Sequence, residues 1–226
     1  MREIVLDTET TGINPLDGDR LVEIGCVELL NHLPTGRTYH VYLNPERDMP
    51  AEAQAVHGLS AEFLSKHKVF AEEVSDFLDF IADAKLVIHN AAFDMGFLNA
   101  ELTRLGMKGL PSDRAIDTVQ MARRRFPGAP ASLDALCRRF NVDNSGRTFH
   151  GALLDAQLLA EVYLELLGGR EPGLVLGAAA ASVAAITVER VRREPRPHAP
   201  TAEELLAHEA FLKSFKVATL WLADPA

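Results

Sequence analysis

Cysteine is scarce in this chain, and that scarcity excludes two classes at once. Cys26 and Cys137 lie far apart, with no Cys-x-x-Cys and no His/Cys cluster, so neither a zinc site nor a disulfide framework is indicated. Long apolar runs are also missing. The longest, residues 173–186, is alanine-rich and too short to cross a bilayer, so no membrane partner is expected. The chain opens Met1-Arg2-Glu3 and enters a strand at once, without the pattern of a secretory signal, which makes a cytoplasmic location the expectation. Positive charge is short as well: 23 Lys and Arg stand against 32 Asp and Glu, a formal net charge of −9. Affinity for a polyanion normally comes from Lys and Arg releasing counterions. The balance therefore predicts weak intrinsic binding to nucleic acid, with such a substrate delivered by another protein, unless bound metal offsets a cluster of acids.

What is present suffices for one packed domain and an appendage: 226 residues, 47% hydrophobic. Arg2-Glu3-Ile4-Val5-Leu6 reads as a buried strand. Alternation over 21–30 and 37–43 predicts two more, the three forming an antiparallel meander. Residues 51–80 read as helical segments broken near Gly58. Lys85-Leu86-Val87-Ile88 is a short buried strand, followed by a helix from about 91 to 105 that closes at Gly106. Ala115-Ile116 is a last short strand before a helix over 118–126, which Pro127-Gly128 stops. Ser132 N-caps a helix over 133–140, and a longer one runs from about 151 to 167. Strands first, then helices alternating with short strands, predict an α/β fold: a mixed five-stranded sheet flanked by helices. The boundaries expected are 1–169 for this domain, 170–200 for an Ala- and Pro-rich linker, and 201–226 for a small docking segment. In the last, Thr201-x-x-Glu204 is a capping box opening a helix, and 216–222 reads as a strand carrying the single tryptophan, Trp221.

The chemistry starts in the first strand. Side chains alternate across a strand, so Asp7 and Glu9 of Asp7-Thr8-Glu9-Thr10-Thr11-Gly12 point one way and Thr8 the other. Two carboxylates beside a core persist only with compensation, and paired ionised oxygens suit a hard cation such as Mg²⁺ or Mn²⁺. Read alone, the pair is more simply a strand end carrying two solvated acids. Asp94 sits in the first turn after the 85–88 strand, where ligands bind in α/β sheets but where a helix dipole also favours an acid. Asp155 is sharper: it interrupts the apolar run Ala152-Leu153-Leu154-Asp155-Ala156, and an acid on a leucine-rich face is rarely left unpaired. His150 lies just before that helix, outside Gly151, as a side chain able to reach a reacting water; a capping or surface histidine is the competing reading. His89 reads as a satisfied imidazole, Asp117 as a helix-start residue, and Arg123-Arg124-Arg125 as a solvated face. Four acids and a histidine suit phosphodiester hydrolysis by two divalent cations about 4 Å apart, with the histidine taking the proton from water.

Asp7-Thr8-Glu9-Thr10-Thr11-Gly12, Asn90-Ala91-Ala92-Phe93-Asp94 and His150-Gly151-Ala152-Leu153-Leu154-Asp155-Ala156 resemble, in order, the three motifs of the histidine-containing branch of the DEDD exonuclease superfamily, over roughly residues 1–168. Asn44-Pro45, Val56-His57-Gly58, Val87-Ile88-His89-Asn90 and Ser132-Leu133-Asp134-Ala135-Leu136-Cys137 resemble more narrowly the epsilon-subunit family, the proofreading exonucleases of bacterial DNA polymerase III. The resemblance implies a ribonuclease H-like fold and 3′→5′ removal of mispaired nucleotides from a single-stranded DNA 3′ end. It implies that Asp7, Glu9, Asp94 and Asp155 bind two divalent cations, Mg²⁺ or Mn²⁺, and that His150 is the general base. Glu52, His57 and Phe93 fall where the family contacts the terminal nucleotide, which Asp7, Glu9 and Asp155 would also touch. It further implies docking on the polymerase III alpha subunit through 201–226, and it is compatible with a small accessory subunit. Residues 171–176 take the place of a clamp-binding motif, with glutamate for glutamine and leucine for an aromatic, which implies a weak contact with the sliding clamp. An exoribonuclease similar to ribonuclease T would keep these residues and change the substrate, but would lack the tail. A purely structural subunit would require damaged motifs, and all five positions are intact.

Overall fold

The computed structural model describes residues 1–146, 149–169 and 199–215. These fall into two units, one within Met1–Leu174 and one within Val175–Ala226. In the first, β1 (Arg2–Thr10), β2 (Leu21–Leu30) and β3 (Leu33–Tyr42) form the antiparallel meander, and β4 (Lys85–Ile88) and β5 (Ala115–Asp117) extend it, for a sheet order β3-β2-β1-β4-β5. β4 pairs parallel with β1 and β5 parallel with β4, so the sheet is mixed. The parallel step needs a long crossover, supplied by three helices, α1 (Ala51–His57), α2 (Ala61–Leu64) and α3 (Phe70–Ile81).

β3 begins at Leu33, four residues before the alternation suggests. The cause is a two-residue hairpin turn at Asn31-His32, both with positive φ (51° and 68°), which pairs Leu30 directly with Leu33. Left-handed φ at both central residues matches the twist of the flanking strands, and asparagine tolerates it.

Ile4, Val5 and Leu6 are all fully buried because β1 is covered on both faces. On one face Ile4, Leu6, Leu86 and Ile88 pack against α3 and α4 (Ala91–Arg104), with Phe77, Phe97 and Leu98 at the centre. On the other, Val5, Val27 and Val87 meet α5 (Thr118–Arg125), α6 (Leu133–Phe140) and α7 (Ala152–Leu167), through Leu136, Leu159 and Val162. Two polar ties fix α7 at its far end. Arg125 Nη1 donates to the carbonyls of Glu165 and Leu166, both at 2.6 Å, which satisfies terminal acceptors of the helix. Tyr163 Oη donates to the buried Glu3 at 2.8 Å, and His32 Nδ1 lies 2.7 Å from the other Glu3 oxygen.

In the second unit α8 (Ala202–Ser214) is opened by the expected capping box: Glu204 N–H donates to Thr201 Oγ1 (3.2 Å) and Thr201 N–H to Glu204 Oε2 (2.7 Å). The strand expected over 216–222 and the clamp stretch 171–176 lie outside the described residues.

Candidate active site

β1 and β4 run parallel, so their carboxyl ends lie side by side, and the candidate residues gather there. Asp7 and Glu9 face the α7 side of the sheet; Asp7 is partly buried and Glu9 buried. Thr8 turns to the opposite face and its Oγ1 donates to Asp94 Oδ1 at 2.8 Å. Asp94 reaches that position because Asn90, in the left-handed conformation (φ 68°), turns the chain from β4 into α4 across only two residues, His89 and Asn90. The Asp94 side chain is 3% exposed, and burial pushes its carboxyl up to about 7, with the Thr8 hydrogen bond pulling the other way.

Asp155 enters from the other face, and a glycine lets it come close. Gly25 pairs with Asp7 across β1 and β2, and a Cβ there would stand 2.3 Å from the carbonyl carbon of Ala152 and the amide nitrogen of Leu153. The first turn of α7 thus rests directly on the strand beside Asp7. Asp155, 3% exposed, lies with its Oδ2 3.5 Å from His150 Nδ1, while the His150 side chain is half exposed. Ligand atoms of Glu9, His150 and Asp155 all lie within 4.8 Å of one another. The His150 loop is held from outside: its N–H donates to the Val56 carbonyl (3.2 Å), and the Phe149 ring packs over Gly58.

Asp7, Glu9, Asp94, His150 and Asp155 therefore line one cleft of about 290 Å³. A second cavity, about 490 Å³, joins it at Thr8, Glu9 and Phe93 and is bordered by Glu52 and His57 of α1. His57 is buried. Its Nδ1 accepts from the Leu59 N–H at 3.0 Å, so Nε2 carries the proton, and burial lowers its pKa and keeps the ring neutral. Of the residues set aside in the sequence, Asp117 caps α5 through the Val119 N–H (2.8 Å), and His89 meets the Thr118 hydroxyl at 2.9 Å. Both readings hold. The arginine run divides: Arg125 caps α7, whereas Arg123 lines a further groove. Gly25 and Thr8 are the positioning residues that sequence reading missed. A glycine inside a strand whose other residues all carry side chains was the available signal for the first.

The model of the exonuclease family matches residues 4–163. The DNA polymerase III subunit epsilon of Rickettsia felis is 50% identical over 221 residues, 95% of this chain and 96% of that protein. The subunit of the same name from Escherichia coli K12 is 46% identical over 224 residues, 93% and 92% of the two chains. The chain belongs to the epsilon-subunit family of exonucleases. Solved structures agree in fold. The nuclease domain of 3'hExo, a DEDDh family member bound to rAMP, superposes with a TM-score of 0.64 at 19% identity, covering 74% of this chain and 91% of that one. Exonuclease X in complex with 5' overhanging duplex DNA gives 0.57 at 22% identity, covering 73% and 90%. This epsilon-family chain is a 3′→5′ proofreading exonuclease, and exonucleases of its type use divalent metal. The donor set fits such ions: hard carboxylate oxygens converge in one cleft, and the buried Asp94 carboxyl is met there by hydrogen bonds from Thr8 and the backbone. Among the described residues, no helix is long and apolar enough to cross a membrane.

Proposed function

We propose that Asp7, Glu9, Asp94 and Asp155 hold two divalent cations, Mg²⁺ or Mn²⁺, over the scissile phosphate of a DNA 3′ end, and that His150 is the general base. The observation that carries this reading is the convergence of the four acids and His150 on one cleft from three separate elements and a loop. The bound ions would supply Lewis acidity to the phosphate and acidify the attacking water. The chain's own residues orient and exchange protons. With His150 Nδ1 turned to Asp155 Oδ2, proton uptake from the water is assigned to Nε2, and Asp155 holds the ring in place. Thr8 fixes the Asp94 carboxylate. The cavity bordered by Glu52, His57 and Phe93 receives the terminal nucleoside, with Phe93 as an apolar face and neutral His57 and Glu52 at its polar edge. A frayed, mispaired 3′ end supplies the single strand such a pocket needs.

The domain boundaries 1–169, 170–200 and 201–226 belong to the same reading, with 201–226 docking on the polymerase III alpha subunit, 171–176 contacting the clamp weakly and an accessory subunit on the exonuclease domain. Leu205, Leu206, Phe211 and Phe215 in and beside α8 are exposed apolar side chains suited to such an anchor.

The test is hydrolysis of a primer–template with a paired or mispaired 3′ end, in Mg²⁺ and in excess chelator, with Asp7→Ala as control. Metal-dependent release of mononucleotides from the 3′ end, faster at the mismatch and absent in the variant, is the expected result. Activity confined to RNA ends would replace this reading with RNA processing.

A further inference from the structure

Beside the cleft lies a large feature with no role in the chemistry above: a groove of about 700 Å³ between the starts of α4, α5 and α6. It meets the catalytic cleft at His89 and Ser132, whereas the nucleoside cavity meets that cleft at Thr8, Glu9 and Phe93. Three cavities therefore follow one another: nucleoside pocket, acidic cleft, groove. A strand whose 3′ nucleotide fills the first and whose scissile phosphate lies in the second must continue past the second by another border.

The lining of the groove suits a phosphodiester backbone. Arg123, on the last turn of α5, is exposed there, with the exposed Asn90 nearby as a hydrogen-bonding group. The acid in the groove, Asp117, is turned to internal use: its oxygens receive the N–H groups of Val119 and Gln120 and the Gln120 side-chain amide. In a chain of net charge −9, a cation beside an acidic cleft offsets the repulsion that the next phosphate would meet.

We infer that this groove binds the nucleotide on the 5′ side of the scissile bond and that Arg123 pairs with its backbone phosphate. The inference rests on the exonuclease reading above and adds to it a strand path and a determinant of preference for polynucleotide ends over isolated phosphodiesters.

Two substrates separate it from that reading. The p-nitrophenyl ester of thymidine 5′-monophosphate has no 5′ neighbour and reports the cleft and nucleoside pocket; a single-stranded DNA octamer reports the groove as well. In the full-length protein, Arg123→Ala should lower the ratio of kcat/KM for octamer to that for ester by about five- to tenfold, the size of one charge-assisted phosphate contact. The dependence of log KM on log salt for the octamer should flatten by about 0.7, one phosphate contact on a single strand. Arg123→Lys should retain most of the ratio. An unchanged ratio and salt slope in Arg123→Ala would overturn the inference and leave the exonuclease reading standing. Failure of the wild-type protein to hydrolyse either substrate would overturn both.

Discussion

The Asp94 carboxyl titrates at about 7 in the folded chain against an ordinary value of 3.8, burial being the main cause. Between those values the folded chain keeps a proton that the unfolded chain has released, so metal-free stability falls as pH rises from about 4 to about 7. The residue is thus held at a cost to stability that the site requires. Asp94→Asn keeps the shape without the ionisation. In chelator at pH 8 the variant should be the more stable by up to about 4 kcal/mol, since the ionisation equilibrium is displaced by about three tenfold steps of about 1.4 kcal/mol each. The gap should close towards pH 4, and exonuclease activity should be lost throughout. Thermal melts of both proteins at several pH values check this; an offset independent of pH would assign the stability change to packing instead.

Among the secondary-structure elements, the contact that decides the site is α7 lying on β2 at Gly25. An added methyl would overlap the backbone of Ala152 and Leu153, which cannot swing aside as a side chain can. Gly25→Ala should therefore lift the first turn of α7 away from the strand, costing about 1–3 kcal/mol. It should also lower turnover by on the order of 10²-fold, because a shift of about 1 Å in a catalytic group has that effect. Urea unfolding and hydrolysis of the nitrophenyl ester measure the two effects separately; full turnover in a folded Gly25→Ala protein would show that the close approach does not set the site. Asn31-His32 makes the complementary point. The turn that starts β3 early depends on two local left-handed residues, and alternation over 37–43 carries no trace of it.

Across the molecule, the sheet, both cores and the five converging side chains lie within the first unit, and α8 within the second. Removal of residues 170–226 should leave hydrolysis of short single strands within about twofold, since none of the cleft is lost, and should abolish association with the polymerase. Co-purification of the shortened chain with polymerase would show that the attachment lies elsewhere. Net charge −9 predicts weak intrinsic binding of the isolated chain to single-stranded DNA, which a salt titration of that binding checks.

Alternation and helical periodicity are local properties, and they sufficed for what is local. They put Asp7 and Glu9 on one face of β1, marked Asp155 as an acid within an apolar helix, and fixed the helix starts at Ser132 and Thr201. The motifs in their order were enough to indicate the family. Which faces meet is a matter of tertiary packing. Thr8 and Asp94 are 86 residues apart in sequence, Gly25 and Ala152 further still, and the His150 loop is tied to Val56 of α1. Such pairings follow from burying both faces of one sheet at once, a condition on the whole chain that no single segment's period contains.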